Sequence, residues 1–301
     1  MQCISEGVPG MIIRIRKFHV LAAVFGILCV SFLFALKAEK PFSQTFAARS
    51  ERMLPVVMYH HITENPKRAG KYVILSDELR RDLEYIKNKG YETVCIQDLI
   101  DFVDGKNQLP EKIVMITFDD GFESVMELAQ PILRENNQRA VLSVVGSITE
   151  SYTLNHDRNI NYAYLGWDEL RELQQSGDFE IQNHTYDMHN LNKAGRRGMA
   201  RKSGESPVDY ENILTSDLMR MQQLLESRSK IKATAVTYPY GSYSGQTLGI
   251  VKKLGFRASL VCEERVNRIT RSDSDCLFNL GRYNRPSGMG TQEFFEKLGI
   301  Y

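Results

Sequence analysis

An excess of either charge is absent from this 301-residue chain, in which 38 lysines and arginines stand against 37 aspartates and glutamates. The formal net charge of +1 offers no field to attract nucleic acid or another polyanion, so no nucleic-acid partner is expected. Cysteine is sparse. Cys3, Cys29, Cys95, Cys262 and Cys276 form no CxxC pair and no Cys/His spacing, which excludes a thiolate zinc site and a dithiol redox motif. Cys3 and Cys29 lie in or before an apolar N-terminal segment, leaving Cys262 and Cys276 as the pair placed to bridge. There is one tryptophan, Trp167, and only six histidines. No internal repeat is found.

What is present begins with location. Arg14, Arg16 and Lys17 precede residues 20–36, which are uncharged and apolar. That length lies between a signal-peptide core and a full membrane span, and no clear small-x-small cleavage site follows. The expectation is an uncleaved anchor over residues 1–36, or a secreted protein if the segment is removed. Basic residues ahead of the segment hold the N-terminus in the cytoplasm and send the remainder across the cytoplasmic membrane. Residues 37–54 read as a tether and residues 55–301 as the working domain. With 43% hydrophobic residues overall, the chain can bury a sizeable core.

From residue 55 onward, strand and helix patterns alternate. Strands are expected at 56–60, 91–96, 112–121, 140–146, 179–184, 233–241, 256–262 and 276–283. Helices are expected at 76–90, with Ser76 as N-cap and Gly90 as stop, and at 97–105, 124–136, 167–177, 214–227, 246–255 and 291–299. This order predicts an α/β fold whose parallel sheet closes into a barrel or near-barrel.

The strand at 112–121 ends in "TFDDG", with Asp119 and Asp120 adjacent. Side chains on a regular strand alternate between faces, so the two carboxylates share a pocket only if the chain turns. Gly121 permits that turn, which would bring both to the rim where α/β folds keep their chemistry. An acidic, solvated turn is the plainer reading. Two of the six histidines lie together in "NHTYDMHN", as His184 and His189. A spacing of five puts them about 140° apart on a helix, so a strand end followed by a loop suits them better. With one carboxylate they make a set that fits zinc or another divalent transition metal; a satisfied polar pair in a loop is the alternative.

"TFDDG" (residues 117–121), "HTYDMH" (184–189) and "YPYG" (238–241), in that order and spacing, resemble the first three motifs of the polysaccharide deacetylase family, also known as NodB-homology or carbohydrate esterase family 4. The resemblance covers residues 55–301 and implies a distorted (β/α) barrel that removes acetyl groups from N-acetylglucosamine polymers. It implies that Asp120, His184 and His189 hold a divalent metal, zinc first and cobalt, nickel or manganese otherwise. Asp119 would be the general base, and the backbone amide of Tyr240 would help bind the oxyanion. Pro239, Tyr240 and Trp167 are assigned to substrate binding, although Trp167, opening a helix, reads more as a core or groove-wall residue than as a dedicated sugar platform.

The chemistry agrees. An acetamide is a poor electrophile, so hydrolysis needs an activated water, a polarised carbonyl and a proton for the departing amine. A glycosidase would use paired carboxylates roughly 5–9 Å apart but gives no reason for the histidines. O-deacetylation of an acetylated glycan and an inactive glycan-binding domain are the other rivals. Two departures from the family pattern stand out. Thr237 occupies the place of an arginine that orients the base, so either another residue such as Arg282 does that task or activity is reduced. No late "LxH" motif follows Tyr240, so the general acid comes from upstream or is missing. "MYHHI" (58–62) resembles the first strand of the family's circularly permuted branch, which includes poly-β-1,6-N-acetylglucosamine deacetylases, and assigns the acid to His60, with His61 pointing the other way. Residues 192–206, basic and glycine-containing, read as a mobile, solvated loop. Oligomeric state and the choice between peptidoglycan and poly-N-acetylglucosamine stay open.

Overall fold

The computed structural model describes residues 50–193 and 195–301. The apolar segment 20–36 and residues 37–49 of the expected tether lie outside the described residues. Among those described, no helix is long and apolar enough to cross a membrane.

The described chain enters at β1 (Glu51–Leu54), followed by β2 (Val56–Tyr59), β3 (His61–Thr63) and β4 (Val73–Leu75). Helix α1 (Ser76–Asn88), β5 (Glu92–Thr93) and α2 (Ile96–Val103) lead to the long central strand β6 (Ile113–Asp120). A π-helical turn and α3 (Gln130–Glu135) return the chain to β7 (Ala140–Val144), and α4 (Gly146–Asn155) and α5 (Trp167–Ser176) to β8 (Phe179–Asn183). The hairpin of β9 (Leu191–Lys193) and β10 (Arg196–Arg197) precedes α6 (Pro207–Leu224), β11 (Ala235–Thr237), α7 (Thr247–Lys253) and β12 (Ala258–Leu260). Strands β13 (Asn267–Thr270) and β14 (Tyr283–Asn284) and helix α8 (Thr291–Lys297) complete it.

The main sheet runs β12-β11-β8-β7-β6-β2-β14, with β5 beside the start of β6, and every pairing is parallel. Leu280 bridges Leu260 of β12, and three residues later Tyr283 pairs with Val57 of β2. One short segment therefore reaches both ends of the sheet and curls it into the distorted barrel that the alternating pattern predicts.

Strand alternation then sorts the side chains. On β6, Val114, Ile116 and Phe118 pack against α1, α3 and α5, while Ile113 and Met115 pack in a second core with Val141, Ala235, Ala258 and Leu280. Each fully buried side chain of this size contributes about 1.5–3 kcal/mol. Along the inner face the residues turn polar toward the strand ends: Met115 gives way to Thr117 and Asp119, Val141 to Ser143, and Ala235 to Thr237, all buried. On β2, Val56 shares the inner core while Val57 and Tyr59 face the helices, so His60 follows on the inner side and His61 on the outer.

Several expectations need correction. Residues 51–54, expected to lie in a tether, belong to the domain, because Glu51–Leu54 pairs antiparallel with β13. Ser76 is the first residue of α1 rather than its cap; the Glu78 carboxylate accepts from the Leu75 amide at 3.1 Å. Residues 276–283 are not a continuous strand, since Ser274–Leu277 is a 3₁₀ turn and Asn279 sits at φ 56°. Helix α4 was not expected at all. Cys262 and Cys276 do not pair; both are free, Cys276 lying against Thr270 and Cys262 against Arg282. Residues 192–206 are not simply a solvated loop. Arg196 forms an ion pair with Glu205, and Met199 is fully buried with its carbonyl bound by Tyr210.

Candidate active site

Asp119 lies on the inner face of β6 and is 2% exposed. Arg282, fully buried on the segment that closes the barrel, grips it with two parallel bonds, Nη1 to Oδ1 at 2.7 Å and Nη2 to Oδ2 at 2.8 Å. The Arg282 Nε donates to the Val261 carbonyl at 3.0 Å, which fixes the plane of the fork. Burial alone would raise the Asp119 pKa, but the Arg282 charge outweighs it and holds the carboxyl well below the usual range. Arg282 thus stands where the family's missing arginine was sought, while Thr237 bonds Ser143 at 2.7 Å.

Asp120 would face the helices on a regular strand. Its φ of 72° and the 87° of Gly121 reverse that direction. A Cβ on Gly121 would lie 2.9 Å from Val144 Cγ1, so the turn that brings both aspartates to one rim depends on glycine. The Asp120 Oδ1 is buried with no hydrogen bond. Burial pushes this carboxyl up to about 6, with the nearby His60 opposing and Asp119 adding.

His184 follows β8, and its Nδ1 donates to the Thr237 carbonyl at 2.8 Å. That bond leaves the Nε2 lone pair free, 3.6 Å from Asp120 Oδ1. His189 places Nε2 3.1 Å from the same oxygen. Burial lowers both imidazoles, His184 to about 3, so both are neutral at ordinary pH. Lone pairs from three residues therefore converge, their ligand atoms within 4.8 Å of one another. An orphaned carboxylate oxygen facing two neutral imidazoles is a donor set that a divalent transition metal satisfies.

His60 ends β2 on the inner side, its Nδ1 buried and without a partner and its ring 5.0 Å from that of Tyr72. Its charge acts on both Asp119 and Asp120. His61 turns away, bonding Ser124 Oγ at 2.7 Å and packing on Phe122. Tyr240, at φ 58°, sets its ring 4.6 Å from His189 and its hydroxyl 3.3 Å from Nδ1.

Two of the residues assigned to substrate binding are buried. Trp167 is 4% exposed inside the helix-side core and offers no face to a sugar. Pro239 is likewise buried, its carbonyl accepting from the Ser242 amide, so it shapes the turn rather than a surface. The residue missed is Tyr164. It stacks on Phe122 at 4.3 Å, and burial together with the charges of Asp120 and others raises its hydroxyl pKa. It sits in an irregular segment with no periodic or motif signal.

The description of the polysaccharide deacetylase family matches residues 106–259, and the chain belongs to that family. Among curated relatives, the poly-beta-1,6-N-acetyl-D-glucosamine N-deacetylase of Escherichia coli (strain K12) is 23% identical over 240 residues, 72% of this chain but 35% of that protein. The enzyme of the same name from Staphylococcus aureus (strain MRSA252) is 25% identical over 210 residues, 69% of this chain and 67% of its own length. This chain thus spans about a third of the Escherichia coli relative. A solved de-N-acetylase from Aggregatibacter actinomycetemcomitans superposes with a TM-score of 0.69 at 24% identity, covering 81% of this chain and 99% of that one. IcaB from Ammonifex degensii gives 0.66 at 23%, covering 82% and 97%. These likenesses show the shared barrel fold.

Proposed function

We propose that this chain removes N-acetyl groups from a poly-β-1,6-N-acetylglucosamine-type polymer, with a divalent metal, on the outer side of the cytoplasmic membrane. The single observation carrying the chemistry is the buried Asp119–Arg282 pair set beside three converging lone pairs from Asp120, His184 and His189. The names of the curated relatives support the substrate. The basic residues before segment 20–36 support the placement.

Asp120, His184 and His189 would hold the metal. When bound, it supplies Lewis acidity to a carbonyl and lowers the pKa of water from about 16 toward ~7. Asp119, ionised and oriented by Arg282, is placed to accept a proton from the attacking water. The Tyr240 backbone amide would help bind the developing oxyanion. His60 gives the departing amine its proton, because an unprotonated amide nitrogen is a very poor leaving group. Tyr240 lies against His189, and Tyr164, stacked on Phe122, is close enough to Asp120 to feel its charge.

The test is acetate release from poly-β-1,6-N-acetylglucosamine, with and without a chelator. Release that stops on chelation and returns with zinc supports the reading. No release, or release indifferent to the chelator, refutes it.

A further inference from the structure

Two of the three candidate ligands, His184 and His189, lie on the segment 184–190, which has no regular secondary structure. Thr185 is at φ 72°, so the segment does not hold its shape by local preference. From one side the start of α4 binds it, with the Gly146 amide on the Thr185 carbonyl at 3.0 Å and the Ser147 amide on the Tyr186 carbonyl at 2.8 Å. From the other side stands Asp217, in the middle of α6. Its Oδ1 accepts from the Tyr186 amide at 2.7 Å and its Oδ2 from the Asp187 amide at 2.8 Å. The same helix holds the residue before His184, because Asn183 Nδ2 donates to the Leu218 carbonyl and to Gln222.

Resting on the metal reading above, we infer that Asp217 is a positioning residue for the metal site, holding His189 in register with His184 through two successive backbone amides. Both carboxylate oxygens are engaged with the backbone, so Asp217 acts through the segment and not as a ligand. Charge-assisted bonds to a carboxylate are the strong class of hydrogen bond, and α6 is anchored by Tyr210, Leu214 and Leu218, all fully buried. The helix therefore serves as the rigid element against which the ligand segment is set.

Two variants test this. Asp217→Ala removes both acceptors, and Asp217→Asn keeps one while its NH₂ opposes the second amide. Zinc affinity is measured by competition with a chromophoric chelator, alongside thermal melting and backbone amide exchange of the metal-free proteins. The expected result is a zinc Kd raised about 10- to 100-fold in both variants. Faster exchange at Tyr186 and Asp187, and a near-normal kcat once zinc is saturating, should accompany it. A folded Asp217→Asn protein with wild-type zinc affinity overturns the inference, as does an affinity loss that merely tracks the fraction unfolded. Wild-type protein that binds no zinc would refute the metal reading itself, which separates the two failures.

Discussion

Replacing Arg282 with methionine keeps the volume of the buried side chain but removes the guanidinium that grips Asp119 with two hydrogen bonds. Both partners are essentially inaccessible, at 0% and 3% side-chain exposure, so water cannot take over. Removing one partner of a buried pair costs roughly 3–5 kcal/mol, because the other charge is left uncompensated. In a domain of about 250 residues that lowers Tm by about 10 °C. The effect depends on pH with a definite sign. In the wild type, the Asp119 pKa in the folded state is depressed by Arg282, so the pair adds stability above the unfolded pKa of about 4, and that contribution is lost as the pH falls. In the variant, burial, the largest influence, loses its main opponent and raises the carboxyl, with only His184 and His60 left to oppose it. The protein is then penalised wherever the carboxyl must ionise, and the gap to wild type should narrow toward pH 4. Catalysis should follow the same logic. A protonated Asp119 cannot accept a proton, so kcat at neutral pH falls on the order of 10² to 10⁴, recovers partly as the pH rises, and leaves bound zinc unchanged. Melting curves from pH 4 to 8 and a pH–rate profile at saturating zinc provide the check. A variant with wild-type Tm at pH 7 and an unshifted profile would refute the assignment of Arg282 to the base.

The two aspartates should separate by role. Asp119→Asn keeps the metal and loses most of the rate, whereas Asp120→Asn loses metal content itself; elemental analysis showing equal metal and equal rates would contradict the division. His60→Ala should retain metal and lose deacetylation, while His61→Ala does far less to the rate; two active variants would remove His60 as the acid. Burial lowers the His61 pKa, so its contribution to stability is full above about pH 6.5 and lost as the pH falls below it. His61→Asn should flatten that part of the melting profile, and an unchanged slope would place the titration elsewhere. For location, protease added to intact cells should digest the catalytic domain, and complete protection would reverse the proposed topology.

The barrel was legible in the sequence because its signals are local. Apolar runs such as Ile113–Ile116 mark strands buried on both faces, and glycine stops mark helix ends. Gly121 was readable as a turn for the same reason, since its role rests on its own φ and one near neighbour. His60 and His61 could be assigned to opposite sides from strand alternation alone. The ligand set and the oxyanion amide came through a resemblance carried by motif order, which the residues by themselves left open. Trp167 shows the limit of local reading: the start of an amphipathic helix says that one side is buried, but not that an indole at that edge faces the core instead of a groove.

Local sequence by itself determined that this chain alternates strand and helix, turns after two aspartates, and carries two histidines just beyond a later strand. Tertiary structure decided which arginine holds Asp119, because that contact joins residues 163 apart and exists only where the closing segment meets β2 and β12. It also decided that Glu51–Leu54 is a strand, that the two cysteines stay apart, and that Tyr164 comes near Asp120. Each of these depends on which surfaces meet when the sheet curls, and no local preference of the backbone encodes that meeting.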